Sequence, residues 1–363
     1  MARFIPGVDL SRRFYQEAVR PILEARFPGL PHAAAHIGPG SDVLGFDTDM
    51  STDHDWGPGV RLFLGDQDAK LREQILAAMS RELPRMFAGY MVGMTAPDEH
   101  GIRQMQATAE PPIEHRVVAA TLRAFVQEQL AHDLDRPLDA ADWLTISSQK
   151  LRELTAGAVH YDGIGQLTAL RDQLAWYPHD VWLYLLAAGW QRIGQEEHLM
   201  PRAGYVGDEL GSALIGSRLA RDIMRLGFLI ERQYAPYPKW FGTAFQRLEC
   251  AGELAPVLWR AQTAPTWQAR ESALSEAYRL LARMHNRLGI TEQLPEDVTS
   301  FYGRPFQVIY GGRFAAAICA QISDPDVHRI AARRLIGGID QWSDNTDMLA
   351  DPFWRQTLRG LYS

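Results

Sequence analysis

An α+β domain followed by a mostly helical one is the fold class predicted by this 363-residue sequence. Three observations carry the prediction. Stretches of strand character are confined mainly to the first 165 residues, and helical periodicity dominates from about residue 139 onward. The length also exceeds the roughly 250–300 residues at which a single hydrophobic core stops growing. The expected domains are therefore residues 1–165, α+β, and residues 166–363, helical.

Each element has its own signal. Phe14, Val19, Ile22, Leu23 and Phe27 recur at helical spacing, which predicts an amphipathic helix over 9–28. AAAHIGPGSD then reads as a short apolar strand entering a tight turn at Gly38-Pro39-Gly40. GVRLFL (59–64) has strand character, and Asp66 is placed to cap a helix running to about Leu83. Residues 84–112 hold many Gly, Pro and Met residues without a clean period and read as loop with short strands. IEHRVVAA (113–120) reads as a further strand, leading into a helix over 122–132. Beyond it the spacing predicts helices over 140–155, 164–176, 179–197, 206–234, 239–250, 266–288, 313–322 and 325–337. One strand, AGAVHYD (156–162), interrupts them.

Composition narrows the class further. Hydrophobic content of 46% and charged content of 22% are ordinary globular values. A formal net charge of -7 argues against a broad nucleic-acid-binding face, although a local basic groove would leave it unchanged. Cys250 and Cys319 have no CxxC partner and are read as buried structural thiols. The N-terminus carries no apolar run of signal-peptide length, and nowhere do 18 apolar residues run together, so a cytoplasmic protein is expected. Only three of the 37 basic residues are lysines: Lys70, Lys150 and Lys239.

One segment concentrates chemistry: GSDVLGFDTDMSTDHDW, beginning at Gly40. Glycine lets a backbone approach phosphate closely, and a serine hydroxyl at a helix start can hold phosphate oxygens. That makes Gly40 and Ser41 candidate nucleotide-binding residues. Asp53 and Asp55 are expected at the start of the next strand, where residues i and i+2 face the same way and can ligate one Mg²⁺ or Mn²⁺. Metal ions in such sites activate an attacking hydroxyl and stabilise the pyrophosphate that leaves.

This spacing is similar to the polymerase-β-type nucleotidyltransferase signature, and GSDVLGFDTDMSTDHDWGP more closely resembles the DUF4037 family of nucleotidyltransferase-like proteins. LPRMFAGY, DWLTISSQKL, AGAVHYDGIGQLTALRDQLAWYPHDVWLYLL and APYPKWFGTAFQRL also look like blocks of that family. The resemblance implies a nucleotidyltransferase fold, a mixed sheet with helices, followed by a helical domain. It implies no particular substrate. His54 stands between the aspartates where the general signature prefers an apolar residue, and Trp56-Gly57-Pro58 follows where a smooth strand is usual.

Such transferases usually present a third acid, as metal ligand or as base toward the acceptor hydroxyl. Glu114, at the start of IEHRVVAA, and Asp162, at the end of AVHYD, are the two candidates; the alternative for Asp162 is a helix cap. His160 is read as structural. In the helical half, Lys239 beside Trp240 is a candidate for the triphosphate. Arg218 and Arg221, with Arg225, form a basic stripe at i, i+3, i+7 that could face phosphates or solvent. Asp340, Asp344 and Asp347 in GGIDQWSDNTD lack a cation-loop pattern and read as a polar loop between helices.

The leading expectation is an enzyme that transfers a nucleoside monophosphate from ATP or another NTP to a hydroxyl of an unknown small molecule. The helical domain would then form the far wall of a cleft, with aromatics such as Trp176, Tyr177, Trp182, Tyr184, Trp190, Tyr234, Tyr237 and Trp240 available to line it. The alternative is a nucleotide-binding or antitoxin-like regulatory module with little turnover.

Overall fold

The computed structural model describes residues 4–99, 101–107 and 111–363. It is α+β, with a four-stranded mixed sheet and a mostly helical C-terminal part. Two compact units interleave in the chain instead of meeting at one boundary near 165. The first comprises 1–137 with 150–175, and the second 138–149 with 176–363.

In the first unit, α1 (Gly7–Phe14) continues through a π-helical turn into α2 (Arg20–Arg26), so the expected amphipathic helix carries a bulge at Tyr15–Val19. Next come β1 (His32–His36), β2 (Gly59–Leu64), α3 (Arg72–Glu82), the short hairpin β3 (Met86–Phe87) and β4 (Tyr90–Met91), and β5 (Arg116–Thr121). Asp66 does not cap α3; it opens a 3-10 turn, Asp66–Leu71, that precedes the helix. α4 (Leu122–Leu130) is capped by the Thr121 hydroxyl, which accepts from the amide of Ala124 at 3.1 Å.

The sheet order is β5-β2-β1-β6, with β6 at Ala158–Asp162. β1 lies antiparallel to β2 and β6, while β5 runs parallel to β2 across the α3 connection. Only small residues, Ala33 to Ala35, fill the middle of β1, and all are fully buried. Leu10, Phe14 and Val19 pack with Val60, Leu62 and Leu64 to form the core on one face.

The second unit begins with α5 (Ala140–Thr145), capped reciprocally by Asp139 and Asp142. A break at Ile146-Ser147 separates α5 from α6 (Ser148–Thr155), where one helix was expected. The buried Asp142 carboxylate explains why 138–149 belongs with the helical unit. It accepts from Arg355 at 2.9 Å and also bonds Arg359, tying α5 to the C-terminal turns. α7 (Gln166–Gln173) closes the first unit.

The remaining helices are α8 (His179–Glu196), α9 (Leu199–Tyr205), α10 (Glu209–Ile230), α11 (Pro238–Phe245), α12 (Ala251–Thr263) and α13 (Trp267–Arg287). The expected helix over 206–234 begins only at Glu209, because Gly207 takes φ +90 and Asp208 caps α10 through the amide of Gly211. α12 was not expected; Gly252 and Pro256 blur its period, yet Leu254, Val257, Leu258 and Ala261 form a buried stripe. After a small hairpin at 299–308 follow α14 (Gly311–Cys319), α15 (Pro325–Arg333), α16 (Ile339–Trp342), α17 (Thr346–Ala350) and α18 (Arg355–Leu358).

α8 and α14 approach closely because both carry glycine at the crossing. A Cβ on Gly311 would lie 2.4 Å from the Trp190 carbonyl oxygen. Trp190 and Phe314 then stack with ring centroids 4.0 Å apart. Among the described residues, no helix is long and apolar enough to cross a membrane.

Candidate functional site

The sheet register collects Gly40, Ser41, Asp53, Asp55 and Glu114 at one end of the first unit. β1 runs from His32 to His36 and then into the Gly40-Ser41 turn. Because β2 is antiparallel to β1, its first residue, Gly59, and the Asp53–Asp55 segment before it return to that same end. Because β5 is parallel to β2 and pairs Arg116 with Gly59, Glu114 and Arg116 also arrive there.

The turn after β1 is held from within. The amide of Phe46 donates to the Ser41 carbonyl at 2.9 Å, and that of Leu44 to Gly40 at 3.3 Å. Gly40 has φ +145, and a Cβ there would lie 2.2 Å from Asp42 Oδ1, so the position accommodates only glycine without rearrangement. Ser41 is half-buried.

Asp42, the next residue, is the centre of the polar network, and the sequence reading passed over it. It is 3% exposed; Oδ2 accepts from His36 Nε2 at 3.0 Å and lies 3.9 Å from the Arg116 guanidinium. Burial acts to raise its carboxyl, but the His36 hydrogen bond and charge, together with Arg116, prevail and hold it below the usual carboxylate range. Arg116 also donates to the Gly57 carbonyl at 3.1 Å and faces the charges of Asp42 and Asp55. Asp47 was likewise passed over. Its Oδ2 accepts from the amide of Gly7 at 2.7 Å and from Trp56 Nε1 at 3.0 Å, anchoring the start of α1 to the turn.

The aspartate pair departs from expectation in one respect. Asp53 and Asp55 do not lie on a strand, so the same-face argument for them fails. Asp53 ends a 3-10 turn, Asp49–Asp53, and is exposed, with Oδ1 2.9 Å from His54 Nδ1. That hydrogen bond lowers the Asp53 carboxyl. Asp55 takes φ +47; its amide donates to the Arg103 carbonyl at 2.7 Å and its carboxylate accepts from the Arg103 amide at 3.2 Å. The strand starts late because Trp56 is buried, stacked on Phe4 and set edge-on to Tyr90.

The two candidates for the third acid separate cleanly. Glu114 lies just before β5, exposed, with its carboxylate 3.3 Å from Arg103. Asp162 pairs with Ala33, whereas His36 pairs with Ala158. Three residues along a strand are about 10 Å, so Asp162 stands toward the opposite end of β1 from the Gly40 turn. Its carboxylate accepts from the amide of Gly165 and from the amide and hydroxyl of Thr168, all at 2.8 Å. Asp162 therefore fastens the first turn of α7, as the helix-cap alternative has it. His160 Nε2 lies 3.0 Å from the Ser11 hydroxyl, and burial pushes the ring down to about 4.

The remaining candidates belong to the second unit. Lys239 is exposed in the first turn of α11, with Nζ 5.1 Å from the centre of the Trp240 ring. Arg218 pairs with Glu196 at 2.9 Å and Arg221 with Asp344 at 2.5 Å, while Arg225 stands 3.6 Å from the same Asp344 oxygen. Arg218 and Arg221 on α10 are thus each paired with a carboxylate, while Arg225 shares Asp344 with Arg221 at a longer distance. Of the aromatics, Trp182, Tyr184 and Trp190 are fully buried core.

Residues 143–241 match the family described as Domain of unknown function (DUF4037). The DUF4037 match takes in Asp162, Arg218, Arg221 and Lys239, and leaves Gly40, Ser41, Asp53, Asp55 and Glu114 outside it. The solved structure of a nucleotidyltransferase-like protein from Exiguobacterium sibiricum is similar at 12% identity, over 94% of this chain and 91% of that one, with a TM-score of 0.33. No curated protein matches the sequence.

Proposed function

We propose that the end of the sheet carrying the Gly40-Ser41 turn binds a nucleoside triphosphate with Mg²⁺ or Mn²⁺, and that the chain transfers a nucleoside monophosphate to a hydroxyl of a small molecule. The observation that carries this reading is the register. It gathers a glycine-serine turn, two exposed aspartates, an exposed glutamate and the half-buried Arg116 beside the buried Asp42 at one end of the sheet.

The donor set suits a hard divalent cation, since every candidate ligand is a carboxylate oxygen. Among the described residues, no three His, Cys, Asp or Glu side chains converge as a metal group. Mg²⁺ is commonly bound by one or two carboxylates, with phosphate and water oxygens completing its shell. Asp53 and Asp55 would hold it here, and when bound it would offset charge on the phosphates and the leaving pyrophosphate. In this reading the Ser41 hydroxyl and the amides opening the turn hold phosphate oxygens. Arg116 adds fixed positive charge, and Glu114 accepts the proton of the acceptor hydroxyl.

A second reading, nucleotide binding without turnover, draws support from the turn geometry of Asp53 and Asp55. Calorimetric titration with α,β-methylene-ATP and Mg²⁺ tests the shared claim. The Asp53→Asn, Asp55→Asn double variant is expected to bind at least tenfold more weakly, and unchanged affinity overturns the assignment. Pyrophosphate release with the four NTPs and a panel of hydroxylated metabolites separates the two readings: turnover supports transfer, while binding without release supports the regulatory module.

A further inference from the structure

The helical unit contains a cavity of about 400 Å³, within the range of small-molecule sites. Most of its wall comes from the segment 143–241, and the rest from α16, α17 and the loop joining them. One side is an aromatic cluster. Tyr234 lies 4.8 Å from Trp176 and 5.0 Å from Tyr177 between ring centroids, and Trp143 meets Tyr177 edge-on at 5.9 Å. Phe228 and Phe241, 5.3 Å apart, add a second aromatic surface.

The charged groups are four, and their charges balance. Asp340 Oδ2 accepts from the Ser148 amide at 2.8 Å and Oδ1 from its hydroxyl at 3.0 Å. Each carboxylate oxygen can accept more than one hydrogen bond, so Asp340 keeps capacity for a ligand donor. Arg225 lines the same cavity, and its 3.6 Å approach to Asp344 is longer than a hydrogen bond. Arg221 and Asp344 pair at the wall. Two arginines and two aspartates cancel, so a polycation or a polyphosphate would lose more hydration than this cavity returns.

We propose that this cavity binds an uncharged, planar, hydroxylated aromatic compound. Its ring would lie among Trp143, Trp176, Tyr177, Tyr234 and Phe241, its hydroxyl would donate to Asp340, and an acceptor on it would meet Arg225. Aromatic faces favour flat rings in offset or edge-on contact, which accounts for the shape preference. The proposal goes beyond the transferase reading and stands without it.

The test is titration of the whole 363-residue chain with 5-hydroxyindole, followed by ligand-observed NMR and calorimetry, with spermidine and ATP as charged comparators. Saturable binding of 5-hydroxyindole is expected, at least tenfold weaker in Asp340→Asn and unchanged in the Asp53→Asn, Asp55→Asn variant. No binding at millimolar concentration, or equal binding in Asp340→Asn, overturns the proposal, as does competition by spermidine or ATP. Sensitivity to the Asp53 and Asp55 substitutions would place the probe in the first unit, which also overturns it. Ala235→Phe provides a second variant should Asp340→Asn fail to fold. It narrows the cavity without removing a side-chain hydrogen bond and is expected to abolish binding at an unchanged melting temperature; undiminished binding counts against the proposal.

Discussion

Single residues set the geometry of the Gly40-Ser41 turn, and Gly40 is the most constrained of them. Its φ of +145 lies where a side chain is strained, and an added Cβ would meet Asp42 Oδ1 at 2.2 Å. Gly40→Ala is expected to lower stability by about 1–3 kcal/mol in urea melts, from strain and from displacement of Asp42. Because Asp42 holds His36 and faces Arg116, the same change is expected to weaken nucleotide binding in the calorimetric assay. Gly40, Ser41, Asp53 and Asp55 were legible as candidates, since glycine, serine and paired aspartates carry recognisable chemistry at short spacing. Asp42 and Asp47 were not. Asp42 stands in the same motif, but its burial is created by the start of α1 at Gly7, more than thirty residues away, and spacing holds no trace of that contact.

At the scale of elements, the sheet register decides which carboxylate stands near the Gly40 turn. Glu114 and Asp162 each sit at the boundary of an apolar stretch, and local pattern cannot rank them. The antiparallel pairing of β1 with β6 sends Asp162 away from the Gly40 turn, and the parallel pairing of β5 with β2 brings Glu114 toward it. Asp162→Ala is therefore expected to cost about 1 kcal/mol, as loss of a helix cap does, and to leave nucleotide affinity unchanged. A tenfold loss of affinity with α7 intact by hydrogen exchange would show that Asp162 acts in the site. The helix breaks follow the same logic. Gly207 and Asp208 end one helix and cap the next, a signal within the segment that the broad apolar period concealed. α12 escaped because Pro256 sits inside it, tolerated where the surrounding helices bury its apolar stripe.

Across the whole molecule, buried histidines tie stability to pH. Burial lowers His32, His115 and His160 in the first unit and His285 in the second, with His160 and His285 pushed down to about 4. A folded-state value below the unfolded one near 6.5 means that the unfolded chain takes up protons first. The stability these rings contribute is fully present above about pH 6.5 and is lost as pH falls toward 4. Urea midpoints measured from pH 7.5 to 4.5 are expected to decline across that window, and His160→Gln is expected to flatten the decline. An equally steep decline in His160→Gln would assign the effect to the other groups.

Taken by itself, the sequence determined the fold class, most of the elements and the candidate residues of the Gly40–Asp55 segment. Those properties rest on periodicity and on residue types close together in the chain, which act within a few turns or strands. Tertiary structure decided the rest: the grouping of 138–149 with the second unit through Asp142 and Arg355, the placement of Asp162 away from the Gly40 turn, the pairing of Arg218 and Arg221 with carboxylates, and the cavity around Asp340. Each of these joins residues far apart in sequence. Their energies come from burial and charge pairing, which exist only once distant segments have packed.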